Sequence, residues 1–221
     1  MMGLVEGSER SAPPAWVRVA GRTLNRTVVA APWLWPLLRR PVQGFFERSA
    51  PGWDERTDAG SPDHLAPLAA AALHVSGPPE RVLDIGTGTG EGALMLAREF
   101  PRASVRGVDI SPSMIRSAQA KIGLDPEGRV AFRVADAAAL PYGEGSFDLV
   151  TLLNMPPFLS EIDRVLRPGG NVIVAASWGA DTPFYTPSSV LERGFRRRGI
   201  EPVASADVQQ GTYWVGRKAP T

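Results

Sequence analysis

Asp84 precedes three glycines, Gly86, Gly88 and Gly90, spaced at every second position with Thr87 between the first two. An acid ahead of a glycine turn is a ligand-binding arrangement. Glycine lets the backbone turn tightly and approach a bound molecule with no Cβ in the way. A helix starting directly behind the loop offers free N–H groups to a polar or anionic ligand. Three further polar residues close apolar runs downstream: Asp109 (with Ile110), Asp136 (with Ala137) and Asn154. A carboxylate at Asp109 can take both hydroxyls of a ribose, and one at Asp136 can accept from an exocyclic adenine amine. His64 is the candidate general base, because imidazole titrates nearest neutrality. It reads equally well as a surface histidine at a helix start, and His74, near a helix end, reads as structural.

The elements that must position these residues alternate. Apolar runs at 81–85, 104–108, 129–134, 147–153 and 171–177 read as strands. Helices are expected over 91–99, from Pro112 (capped by Ser111) to about 122, over 157–166 ending at Pro168-Gly169-Gly170, and around 187–198. Two closing strands are expected at about 201–208 and 211–217. Strands separated by helices imply a parallel sheet with right-handed crossovers, and its ligand sits at the carboxyl ends of the strands. Before this unit, Ser61-Pro-Asp-His64 has the form of a helix start for a helix over 62–74. Residues 1–14 read as a flexible tail, 15–78 as a helical lid or cap, and 79–221 as the ligand-binding domain.

Composition narrows the classes. The chain has 221 residues, 43% of them hydrophobic and 21% charged, which describes an ordinary globular protein. A net charge of +1 gives no global footprint for nucleic acid. With no Cys and two His, thiolate chemistry and a metal centre are not expected. No secretory signal is visible, so a cytoplasmic protein is the expectation. The apolar segment 27–38, flanked by Arg26 and Arg39-Arg40, is too short for the roughly 20 residues of a membrane span. It is expected to be a lid packed on the domain; the competing reading is peripheral membrane contact with Trp33 and Trp35 at headgroup level. Arg193 and Arg196–Arg198 read as a solvated helix face.

The glycine loop alone fits two cofactors. Gly88-x-Gly90-x-x-Ala93, with Asp109 downstream, matches a relaxed dinucleotide fingerprint. Asp84 argues otherwise, since it suits a charged amino-acid moiety and would repel a pyrophosphate. Taken together, Val82-Leu-Asp-Ile-Gly-Thr-Gly-Thr-Gly90, Gly107-Val-Asp-Ile-Ser111 with Met114, Asp136-Ala137, Ser146-Phe-Asp-Leu-Val150 and Arg164-Val-Leu-Arg-Pro-Gly-Gly170 resemble the class I S-adenosylmethionine-dependent methyltransferases. The resemblance implies an α/β Rossmann-like fold: a seven-stranded, mostly parallel sheet with helices on both faces and an antiparallel last strand. It implies S-adenosylmethionine as cofactor. Asp84 with Gly86, Thr87, Gly88 and Gly90 would hold the methionine end, and Asp109 with Ile110 the ribose. Met114, Asp136 and Ala137 would flank the adenine, with Asn154 completing the cofactor side.

Residues 44–54 are similar to the segment that precedes quinone-type methyltransferase domains, with Trp53 in its aromatic position. That likeness implies a lid over the cofactor, with Trp53 and His64 near the substrate. Asn154-Met-Pro-Pro-Phe158 is similar to an amino-group methyltransferase signature, but Met155 interrupts it. It is expected to be a short connection into the next helix. The expected activity is methyl transfer to a small, lipophilic acceptor by displacement, with alignment as the main catalytic contribution. The competing expectations are an RNA or protein methyltransferase, an NAD-dependent oxidoreductase, and a non-catalytic S-adenosylmethionine-binding module. A monomer or a homodimer suits all of them.

Overall fold

The computed structural model describes residues 14–125 and 127–220. The expected tail, residues 1–14, lies outside the described residues but for Pro14. Four helices come first: α1 (Ala15–Ala30), α2 (Trp35–Ser49), α3 (Trp53–Thr57) and α4 (Pro62–Ala72). The alternating unit follows as β1 (Arg81–Ile85), α5 (Glu91–Glu99), β2 (Ser104–Asp109), α6 (Pro112–Ala120), β3 (Val130–Val134), β4 (Phe147–Leu153), α7 (Leu159–Val165), β5 (Leu166–Ala176), α8 (Ser188–Arg196), β6 (Ile200–Val208) and β7 (Gly211–Lys218).

These strands form one sheet in the order β3-β2-β1-β4-β5-β7-β6, with β7 antiparallel to both neighbours. The direction of winding reverses between β1 and β4. Helices leave these two strands toward opposite sides, and a crevice opens at their carboxyl ends. Asp84 and Asn154 lie there.

Consecutive strand residues point to opposite faces, so the sheet is buried on both. One face packs Leu83, Ile85, Val150, Val172 and Trp214 against Ile162 of α7 and Phe195 of α8. Val28 of α1 and Trp35 of α2 belong to this same cluster, so the N-terminal helices complete a core as well as cover a site. The opposite face packs Val82, Val105, Leu149 and Ile173 against Leu68 of α4, Leu96 of α5 and Ile115 of α6.

Local rules set the boundaries. Ser61 and Ser111 cap α4 and α6, accepting from the N–H groups of His64 and Met114 at 3.2 Å. Pro32 opens a short 3-10 turn over Pro32–Leu34, and Pro36 sits in the first turn of α2, where a missing N–H is no loss. The segment 27–38 is therefore two helices joined by a turn.

One expectation is corrected: α7 ends at Val165, and β5 begins at Leu166, ahead of Pro168-Gly169-Gly170. Leu166 pairs with Phe147, the register then slips, and Asn171 pairs with Leu149. Burying Leu166 completely outweighs continuing the helix, and the bulge absorbs the proline and Gly169 at φ +77°.

Candidate active site

The glycine loop is tied to the end of β2. The N–H groups of Gly86 and Thr87 both donate to the Val108 carbonyl, at 2.8 and 2.9 Å. Gly88, at φ +54°, faces open space: a Cβ there would meet nothing within 4 Å. Gly90 is needed for packing, because a Cβ would lie 2.8 Å from the Phe132 ring and 2.9 Å from Ala118. Asp109 spans the mouth of the loop, accepting from the Gly88 N–H at 3.0 Å and the Ser111 N–H at 2.8 Å. Burial pushes its carboxyl above the ordinary aspartate range.

Asp84 is turned inward and is 2% exposed. It accepts from the Thr151 hydroxyl at 2.8 Å, and its Oδ2 lies 3.4 Å from where a Gly92 Cβ would stand, beneath the start of α5. Burial pushes its pKa up to about 6. Here Asp84 braces the loop from below.

Met114 and Ala137 are buried, while Ile110 and Asp136 are half-exposed at the same rim. The N-terminal helices close over that rim at three points. Trp35 donates its indole N–H to Asp136 at 2.8 Å, beside the Ala138 N–H at 2.9 Å, with Arg39 at 3.8 Å. Glu47 accepts from the Ser111 hydroxyl at 2.6 Å and the Ser113 N–H at 3.1 Å. Those hydrogen bonds, the Ser111 hydroxyl foremost, lower its pKa to about 2. Asp54 of α3 accepts from the Thr89 hydroxyl and pairs with Lys121, which also reaches Glu91 at 2.7 Å.

At the ends of β4 and β5 lies a second polar group. Asn154, at φ +56°, accepts from the Ser177 N–H at 2.8 Å, which fixes its amide orientation. Its Nδ2 then donates to Ser177 Oγ at 3.0 Å and reaches His64 Nε2 at 3.3 Å. The Ser177 hydroxyl in turn donates to the His64 carbonyl at 2.8 Å. The same turn lays Met155 over the loop, its sulfur 2.7 Å from where a Gly86 Cβ would be. The Asn-Met-Pro-Pro run is thus a short connection into α7, as its sequence suggests. His74 bonds the Tyr213 hydroxyl at 2.9 Å, a structural contact far from this group.

Beside the crevice, Phe46 contacts Trp53 at 5.8 Å and Phe184 at 6.2 Å between ring centres. Phe184 also lines a cavity of about 250 Å³, with Thr186, Leu191, Trp214 and Ala176, the residue before Ser177. The structure thus groups Gly88, Asp109, Ile110, Asp136 and Ala137 at one rim and Asn154 with His64 at another. Glu47, Asp54, Thr151 and Ser177 were not evident as site residues. Each acts through a partner distant in the chain; Glu47 and Asp54 lie within the 44–54 segment likened to a lid, but nothing in that likeness names their partners.

Comparison with known proteins gives relatives in sequence and in fold. Residues 82–170 match the family described as the methyltransferase domain. The chain is 42% identical over 115 residues to a demethylmenaquinone methyltransferase of Thermus thermophilus, covering 48% of this chain and 50% of that protein. It is 34% identical over 158 residues to the demethylmenaquinone methyltransferase of Lactiplantibacillus plantarum, covering 66% of each. A solved structure from Aquifex aeolicus, described as a SAM-dependent methyltransferase, superposes with a TM-score of 0.59 at 18% identity over 72% of this chain and 95% of that one. The chain spans between half and two thirds of the length of these curated relatives.

Proposed function

We propose that this chain, which carries a class I S-adenosylmethionine-dependent methyltransferase domain, moves a methyl group from that cofactor to a small, lipophilic acceptor. The observation that carries the reading is the pairing of an open glycine cradle at Gly88 with the Asp109 carboxylate across it. The residues fit the cofactor. Gly88 leaves room for a ligand against the backbone, Asp109 would accept from the ribose hydroxyls, and Asp136 would accept from the adenine amine alongside Trp35. The negative charge of Asp84, held beneath the loop, would favour a cationic methionine end.

Bound S-adenosylmethionine supplies an electrophilic methyl on a sulfonium, so the protein's own contribution is chiefly alignment. Orientation of the two reactants is worth on the order of 7–11 kcal/mol in such a step. Where the acceptor must first lose a proton, His64 would take it at Nε2, the nitrogen to which Asn154 Nδ2 donates, by exchanging that hydrogen bond for the acceptor's proton. Asn154 and Ser177 hold its ring and backbone at the ends of β4 and β5. The acceptor's apolar body would lie against Phe46, Trp53 and Phe184, whose rings offer it no charged group. The relatives' names, which specify demethylmenaquinone, support a lipophilic acceptor. In this reading residues 15–78 act as a lid and 79–221 as the catalytic domain. The protein works in the cytoplasm, with residues 27–38 packed on the domain as part of that lid through Val28 and Trp35. Among the described residues no helix is long and apolar enough to cross a membrane.

Thermal unfolding with S-adenosylmethionine, S-adenosylhomocysteine or NAD tests the proposal. A ligand at a hundred times its Kd adds about 2.7 kcal/mol. That gain is expected for the first two and lost in Asp109→Ala; stabilisation by NAD alone overturns the reading.

A further inference from the structure

Helix α2 has two faces. Inward it presents Trp35 to Asp136 and Glu47 to Ser111 and Ser113. Outward, continuing the turn before it, it presents Trp33, Leu37, Arg40, Phe45 and Arg48, residues that recur at helical spacing on one exposed side. Trp33 and Leu37 are each 75% exposed and Phe45, packed edge-on against Phe46, is 42% exposed, so large apolar side chains stand open along this side of the helix. Trp16 and Val19 of α1 are exposed as well. Residues 15–49 hold six arginines and one acid, Glu47, in a chain whose net charge is only +1. That single acid points away from the outward face.

We infer that the outward face of α2 is a docking surface for an anionic lipid bilayer. The inference deepens the proposed function, and rests on it only for the reason a bilayer is approached: a lipophilic acceptor resides there. Aromatic and Leu side chains beside arginines are the pattern of a helix lying in the bilayer interface, where apolar burial and attraction to anionic headgroups act together. Charge selects this occupant over the others. Two copies meeting through this face would set arginine against arginine with no acid to answer it. A nucleic acid would answer the arginines but leave Leu37 and Phe45 in water.

The test is sedimentation of the full chain with vesicles of phosphatidylcholine, with and without phosphatidylglycerol. The expected result is binding to the phosphatidylglycerol vesicles that weakens with salt. Trp33→Ser/Leu37→Ser should bind at least about ten-fold more weakly. Arg40→Gln/Arg48→Gln should lose about 25-fold, since each arginine near such a surface is worth about five-fold. Retained stabilisation by S-adenosylmethionine shows that the variants are folded. The inference is overturned if the wild type ignores phosphatidylglycerol or the variants bind like it. It is equally overturned if Trp33→Ser/Leu37→Ser abolishes a dimer, or if RNA displaces the vesicles through the same residues. Vesicle binding without any cofactor response would instead remove the methyltransferase reading and leave the docking surface standing.

Discussion

Asp84 is ionisable, almost fully buried and hydrogen-bonded to a neutral hydroxyl, so its charge is carried at a cost to the fold. Its pKa is raised from 3.8 to about 6, which makes the protonated form the one that folding favours. The stability linked to this group is therefore full below the unfolded value and is lost as pH rises through about 6. A shift of this size corresponds to roughly 3 kcal/mol. Asp84→Asn is expected to match the wild type in urea unfolding at pH 4 and exceed it at pH 8, by up to about 3 kcal/mol. It should also bind S-adenosylmethionine more weakly, since the buried charge no longer favours the cationic methionine end. Equal unfolding midpoints at pH 8 would show that the carboxyl is not penalised there. His64 gives a second prediction at this scale. If it takes the acceptor's proton, His64→Ala should lower kcat by about 10²-fold or more while cofactor-induced stabilisation stays intact. A variant that loses both has lost the α4 start rather than a base.

At the scale of elements, the alternating unit was legible because its signals are local. β1, α5 and β4 lie where their apolar periods place them, all three with the expected residue bounds. The β5 start was not legible, since it depends on burying Leu166 against the sheet, a tertiary preference that overrides the Pro-Gly-Gly stop. The site divides in the same way. Asp109 and Asp136 announce themselves by standing at strand ends, whereas Glu47 reaches Ser111 across 64 positions of chain and no spacing rule could find it. Glu47 nonetheless holds α2 against α6. Its depressed pKa means that the clamp is present above 4.5 and lost as pH falls through about 2. Allowing for partial exposure, about 1.4 kcal/mol is a reasonable worth for these charge-assisted hydrogen bonds. Glu47→Ala should then speed amide exchange across 35–49 about ten-fold, leaving β1 and β4 protected. Uniformly faster exchange in the sheet as well would mean that Glu47 supports the whole fold and not this helix.

On the scale of the whole molecule, the N-terminal helices, proposed as a lid, are also part of the core. Val28 and Trp35, 2% and 6% exposed, share a cluster with strand residues of the central sheet, and Leu68, fully buried on α4, does so on the opposite face. A cover that is only a gate could be removed at no cost to stability; these helices could not. Each fully buried side chain of that size contributes about 1.5–3 kcal/mol, against a total stability of about 5–15 kcal/mol for a typical domain. Deleting residues 1–60 is therefore expected to leave a folded but weakened protein, losing about 3–6 kcal/mol with Val28 and Trp35. Deleting residues 1–78 strips α4 as well, uncovering the second face, and should give a chain that binds a hydrophobic dye and shows no cooperative urea transition. The order of the two losses is the point of the measurement. If the longer deletion unfolds as cooperatively as the shorter, α4 is cover for a ligand and not part of the core, and the catalytic domain begins where β1 does.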